Sequence, residues 1–134
     1  MAGTTIELFS RRIFDFSGLS NSQNTEIPVN TFIDVDEWTQ GVIVARVNAL
    51  TVATGATIDL IARPTIAAPE DPNLDFVTTT NQTTLNITGT APLMLLGALT
   101  ANFGGGLRII VRGARATTSG TISCTMSAAL VMKA

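Results

Sequence analysis

The sequence contains no histidine and no tyrosine. Histidine is the usual general base beside a serine or cysteine nucleophile and the commonest metal ligand, so its absence removes the main routes to acyl transfer and to most metal chemistry. Cysteine occurs once, at Cys124, so no disulfide closes within the chain and stability must come from packing. That composition fits a reducing compartment. Charged residues make up 13% of the chain, against about 25% in average soluble proteins. A surface so poor in charge stays partly apolar or rich in Thr and Asn, and such surface is often covered by a partner or another copy of the same chain. The net charge is −2 and the single lysine is Lys133. Only Arg11-Arg12 and the group Arg108, Arg112 and Arg115 concentrate positive charge, which is too little for the basic face that phosphate binding needs. No nucleic-acid partner is therefore expected. Long hydrophobic runs are missing too. The longest, residues 91–99, is interrupted by Pro92 and Gly97 and falls short of the roughly 18 apolar residues that span a bilayer. The first residues carry neither a basic stretch nor an apolar core of the secretory type, so synthesis in the cytoplasm without a signal peptide is expected, with no membrane partner. The Asn81-Gln82-Thr83 and Asn86-Ile87-Thr88 glycosylation patterns then read as chance in a Thr-rich chain.

What remains has the texture of an all-β protein. Thr, Val and Ile dominate, and Gly, Pro, Asn and Asp punctuate at short intervals. The 134 residues fit a single domain able to bury one core. Ile122, Cys124, Met126, Ala128, Leu130 and Met132 alternate with Ser123, Thr125, Ser127 and Ala129, which predicts a strand with Cys124 turned to the core. Leu107, Ile109 and Val111 alternate with Arg108, Ile110 and Arg112, between Gly104-Gly105-Gly106 and Gly113, and residues 114–120 are expected to join these two strands as an antiparallel hairpin. Residues 42–52 are apolar on both faces, as in a central strand covered on both sides. Ile58, Leu60 and Ala62 alternate with Asp59, Ile61 and Arg63 after a turn at Thr54-Gly55-Ala56. Residues 67–75, with two prolines and three acids, are expected to form a surface loop. Short strands follow at 76–80 and 83–88, and residues 93–99 fit either a strand or a short helix. Residues 27–35 read as a strand broken at Pro28, and Asp36-Glu37-Trp38-Thr39 as a turn. Eight or nine strands in one small domain predict a two-sheet antiparallel sandwich of jelly-roll type.

The candidate functional residues are few. Asp and Glu number 10, and carboxylate pairs alone suffice for glycoside hydrolysis. Most of these acids, however, fall in loop or outward strand positions, and a deep catalytic cleft is not expected of so small a sandwich. Cys124 reads as a buried hydrophobe rather than a reactive thiol, because it sits in an alternating apolar face. Asp34, Asp36 and Glu37, with Glu70, Asp71 and Asp75, are candidates for a calcium site at one end of a sandwich, or else for solvated, turn-capping loops. Trp38 is a candidate for stacking on a sugar ring, or for half-buried packing at a strand end. Near the N-terminus, Arg11 and Arg12 lie among Phe9, Phe14 and Phe16. These five residues form either an arm that lies on another subunit, with residues 1–24 as arm and linker, or an ordinary edge strand with outward arginines.

The apolar-basic segment 6–16, the sandwich rich in Thr, Val and Ala, and the near absence of charge give the chain its design. So do the runs Ile33-Asp34-Val35-Asp36-Glu37-Trp38 into 42–47, and Asn102-Phe103-Gly104 into 107–111. In that design it resembles the small decoration, or cement, proteins of tailed-phage capsids and phage-like particles. The resemblance implies a structural, non-enzymatic role without cofactor. It implies a homo-oligomer, commonly a trimer, attached to the major capsid protein at the surface of a virion or particle. Two other readings stay open: a carbohydrate- or ligand-binding sandwich, and a tail or fibre component.

Overall fold

The computed structural model describes residues 3–66, 76–77, 82–99, 106–116 and 119–134. Their secondary structure is nine strands: β1 (Gly3–Asp15), β2 (Gln23–Asp34), β3 (Gln40–Val52), β4 (Ala56–Ile66), β5 (Phe76–Val77), β6 (Thr83–Asn86), β7 (Leu93–Ala98), β8 (Gly106–Arg115) and β9 (Ile122–Lys133). They form two antiparallel sheets. One has the order β1-β9-β3-β7; the other has the order β2-β8-β4-β5, with β6 also pairing with β4.

The chain alternates between the layers at nearly every step, so the strands that pair are distant in sequence. This is the jelly-roll form of sandwich, in which hairpin-like excursions wrap across two sheets. Backbone bonds mark its two ends. At one, the Ala53 N–H donates to Thr121 O, Ala116 N–H to Gly55 O, and Phe16 N–H to Ile122 O; at the other, Thr39 N–H donates to Lys133 O and Leu99 N–H to Gly41 O.

The reason for the two layers is legible strand by strand. Alternate residues of β9 (Ile122, Cys124, Met126, Ala128, Leu130, Met132) are buried against Ile58, Leu60, Leu107, Ile109 and Val111 of the facing sheet. A slip of one residue in β9 would turn this entire set to solvent, which pins the register. Gly55, at φ 81°, makes the turn into β4 that a side chain would resist.

Several expectations are corrected. Residues 114–120 do not close a hairpin: β8 pairs with β2 and β4, β9 pairs with β1 and β3, and the connection passes from one sheet to the other. The physical reason is that both strands are central, β8 paired on both sides by β2 and β4 and β9 by β1 and β3, so neither has a free edge for the other. Gly113 does not end its strand but lies within β8, where an added β-carbon would strike the Phe16 ring. The β3 strand is central as expected, yet among the described residues only one of its faces is covered. Ile43, Ala45 and Val47 are fully buried, whereas Val42 and Val44 are half-buried and Arg46 and Asn48 exposed. Residues 93–98 resolve into a strand. The loop expected at 67–75 and the strand at 78–80 lie outside the described residues.

Candidate functional site on the outer face of the four-stranded sheet

The five residues singled out near the N-terminus belong to β1, which runs along β9 of the same chain, or immediately follow it. Two register shifts, between Glu7 and Phe9 and between Phe9 and Arg12, break the alternation. Arg11 takes φ 45° and its backbone N–H donates to Ser127 Oγ at 2.9 Å. These bulges sort the set in a way that no period-2 pattern would show. Phe9, Phe14 and Phe16 are buried, and the Phe9 and Phe14 rings meet edge to face at 5.2 Å. Arg11 and Arg12 are exposed, with the Arg12 guanidinium 5.0 Å over the Phe14 ring. Ile13, which the sequence did not single out, points outward and is 70% exposed.

Among the described residues, Ile13 is one of three large apolar side chains left on the surface. The others are Met94 at 60% and Leu96 at 63%, both on β7. The register Val42↔Ala98 and Val44↔Leu96 on one side of β3, and Val42↔Val131 and Val44↔Ala129 on the other, collects small and apolar residues across the outer face. There they line a groove of about 470 Å³ formed by Val42, Val44, Leu96, Ala98, Leu99 and Val131, with Thr39, Gln40 and Lys133 around it. The signal for this surface was present in the sequence as the two-faced apolar run 42–52.

The outer face of the other sheet is different in kind. Arg63 makes a paired contact to Glu26 (Nη1 to Oε1 3.2 Å, Nη2 to Oε2 2.9 Å) and its Nε donates to Gln82 Oε1 at 3.0 Å. The hydrogen bond from Arg63 holds the Glu26 carboxyl below the usual range, against the opposing pull of partial burial. Arg112 Nη2 lies 3.0 Å from Asp59 Oδ2, and Asn86 Nδ2 donates to Asp59 Oδ1 at 3.0 Å. The charges of Arg63, Glu26, Arg112 and Asp59 are satisfied by one another, so these groups offer less to a partner than the apolar face does.

The remaining candidates fall elsewhere. Trp38 is half-buried against the core, and its backbone N–H donates to Val35 O within the turn between β2 and β3. Asp34, Asp36 and Glu37 line one cavity at that turn, and the Asp36 N–H donates to Asp34 Oδ1 at 3.0 Å, a local turn contact. Glu70, Asp71 and Asp75 lie outside the described residues. Among the described residues no three His, Cys, Asp or Glu side chains gather to hold a metal ion.

Cys124 is buried on the inner face of β9, and burial pushes its thiol up to about 11. A thiol-specific reagent is therefore expected to react only as the protein unfolds. The pH effect has a definite sign. The folded protein holds the proton more tightly than the unfolded chain, so this contribution to stability is present below about pH 9 and is lost as pH rises from about 9 through about 11. Cys124→Ser, which buries a hydroxyl, is expected to cost about 1–3 kcal/mol in urea denaturation, with no change in assembly. A stably folded variant that fails to assemble would give the thiol another role.

No protein-family model matches the chain, and no curated protein matches it in sequence. Among solved structures it is similar to a chain in the structure of infectious bursal disease virus, Gx strain, with a TM-score of 0.54, 10% sequence identity, and coverage of 98% of this chain and 31% of that one. The likeness is one of fold. It extends over nearly the whole sandwich, while the chain spans about a third of the length of the viral one.

Proposed function

We propose that this chain is a structural component of a virus or phage-like particle, and specifically a capsid decoration protein that binds the shell as a homo-oligomer. The observation that carries the reading is the likeness of its whole fold to a chain in a virus structure. The apolar outer face of the four-stranded sheet supports it, because a shell component works by burying surface against its neighbours. At about 25 cal/mol per Å², a few hundred Å² of apolar contact contribute several kcal/mol per copy, offset in part by the entropy of association. Repetition over many symmetric copies turns modest contacts into a stiff shell. In this reading the major capsid protein is the partner, a trimer is the favoured assembly, and the protein sits at the particle surface without catalytic activity or cofactor. Of the residues around the N-terminal arginines, Arg11, Arg12 and Ile13 are exposed and available to touch the shell, while Phe9, Phe14 and Phe16 face inward.

The test is sedimentation of source-cell lysate through a density gradient. The chain is expected to run with megadalton particles, at a copy number set by the particle's symmetry. A low copy number would assign it to a tail or fibre instead. A chain that runs only as a free 14.0 kDa species or small oligomer overturns the particle reading, and a glycan screen with Trp38→Ala then tests the ligand-binding one.

A further inference from the structure

A strand at the edge of a sheet presents unpaired N–H and C=O groups, and proteins defend such edges with bulges, proline, charge or brevity. Among the described residues, three of the four sheet edges are defended. The β1 strand carries two register shifts and Arg11 at positive φ. The β2 strand carries Pro28 and two register shifts. The far edge of the five-stranded sheet is split between β5, of two residues, and β6, of four. The fourth edge, β7, has none of these devices. It pairs with β3 without a register shift, and Leu93–Ala98 contain neither proline nor charge, Pro92 standing just before the strand. Among the described residues, no strand pairs with its other side.

The backbone groups that face outward can be assigned. Leu99 N–H donates to Gly41 O, so the pair Leu99–Gly41 is bonded. Strict alternation along an antiparallel ladder then assigns Gly97, Leu95 and Leu93 to bonds with β3. The N–H and C=O of Met94, Leu96 and Ala98 therefore point away from β3.

We infer that β7 is a self-pairing edge: two copies of this chain join β7 to β7, antiparallel, about a two-fold axis through Leu96. This register is the one that uses all three outward-facing residues of each copy. Leu96 pairs with the partner's Leu96, Met94 with the partner's Ala98, and Ala98 with the partner's Met94. It sets the two exposed leucine side chains against each other and places each large Met94 beside a small residue. A second copy suits this edge better than a charged peptide does, because the strand offers no charge to recognise and none to repel its own image. The two four-stranded sheets become one of eight, and their apolar grooves merge into one outer face. The inference rests on the homo-oligomer part of the particle reading and gives that oligomer a two-fold contact, which closes a dimer in place of the trimer.

Sedimentation equilibrium of the purified chain is expected to give twice the 14.0 kDa monomer mass. Leu96→Lys, which sets two ammonium groups side by side on the axis, is expected to return the monomer with an unchanged far-UV spectrum. Leu96→Cys is expected to form an interchain disulfide under mild oxidation. Met94→Cys is expected not to, because the two positions lie four residues apart in register, about 13 Å, beyond the reach of about 7 Å between α-carbons. The buried Cys124 makes the parent chain the control. A monomeric parent, a dimeric Leu96→Lys, or cross-linking of Met94→Cys equal to that of Leu96→Cys overturns the inference. A monomer that still sediments with particles overturns the edge pairing alone; a dimer absent from particles overturns the particle reading alone.

Discussion

Replacing Gly113 with alanine is expected to destabilise the protein by about 3 kcal/mol, at the upper end of what overpacking costs, and to lower its melting temperature by roughly 10 °C. One methyl group has this effect because of where it lands. Gly113 faces inward on β8, between Thr25 of β2 and Ile58 of β4. A β-carbon there would overlap the Phe16 ring at Cγ, Cδ1 and Cδ2 together. Phe16 cannot easily retreat. It is 3% exposed, and its N–H donates to Ile122 O at 2.7 Å. Glycine within a strand often marks such a close approach. The clash predicts its own remedy. Phe16→Leu alone leaves a void and costs stability, but in the Gly113→Ala background it makes room for the methyl. The double variant is expected to be more stable than the sum of the single effects requires, by at least about 1 kcal/mol of coupling. Urea denaturation of the four proteins measures this. Additive losses would mean that Phe16 does not fill the space above Gly113.

Gly113 also shows where the sequence stopped being readable. The alternation of 107–111 and 122–132 is local, so the strands, their inward residues and the burial of Cys124 follow from period 2 alone. Which strand pairs with which is not local. Two consecutive alternating strands look the same whether they close a hairpin or enter opposite sheets, and β8 and β9 enter opposite sheets. Gly113 reads as a strand end under the hairpin assumption and as a strand interior in the real topology. The N-terminal set shows a second limit. Phe9, Arg11, Arg12, Phe14 and Phe16 do not share a simple two-residue period, and the bulges that bury the three rings while exposing both arginines depend on contacts with β9, including the bond from Arg11 to Ser127. The apolar outer face was half legible. Residues 42–52 announced a strand with two apolar faces, but a chain cannot state whether the second cover is its own or another's.

Removing one partner of the Arg112–Asp59 pair is expected to have unequal effects depending on which one goes. The side chains differ in exposure, 30% for Arg112 and 11% for Asp59. Arg112→Met leaves a nearly buried carboxylate with the Asn86 amide, 3.0 Å away, to meet it. Complete burial of such a pair puts the cost of breaking it at about 3–5 kcal/mol; partial exposure of the arginine discounts this to about 2–3 kcal/mol. Asp59→Asn leaves a guanidinium that can turn to water, keeps an oxygen near Asn86, and is expected to cost about 1 kcal/mol. The double variant should then recover part of the Arg112→Met loss, because the stranded charge is gone. A double-mutant cycle by urea denaturation reads the difference. Equal costs for the two single variants, or no recovery in the double, would mean that solvent screens the pair as it does ordinary surface charges. The outer face of the five-stranded sheet would then be held by its apolar residues, Ile61 and Ile110, rather than by the ion pair across it.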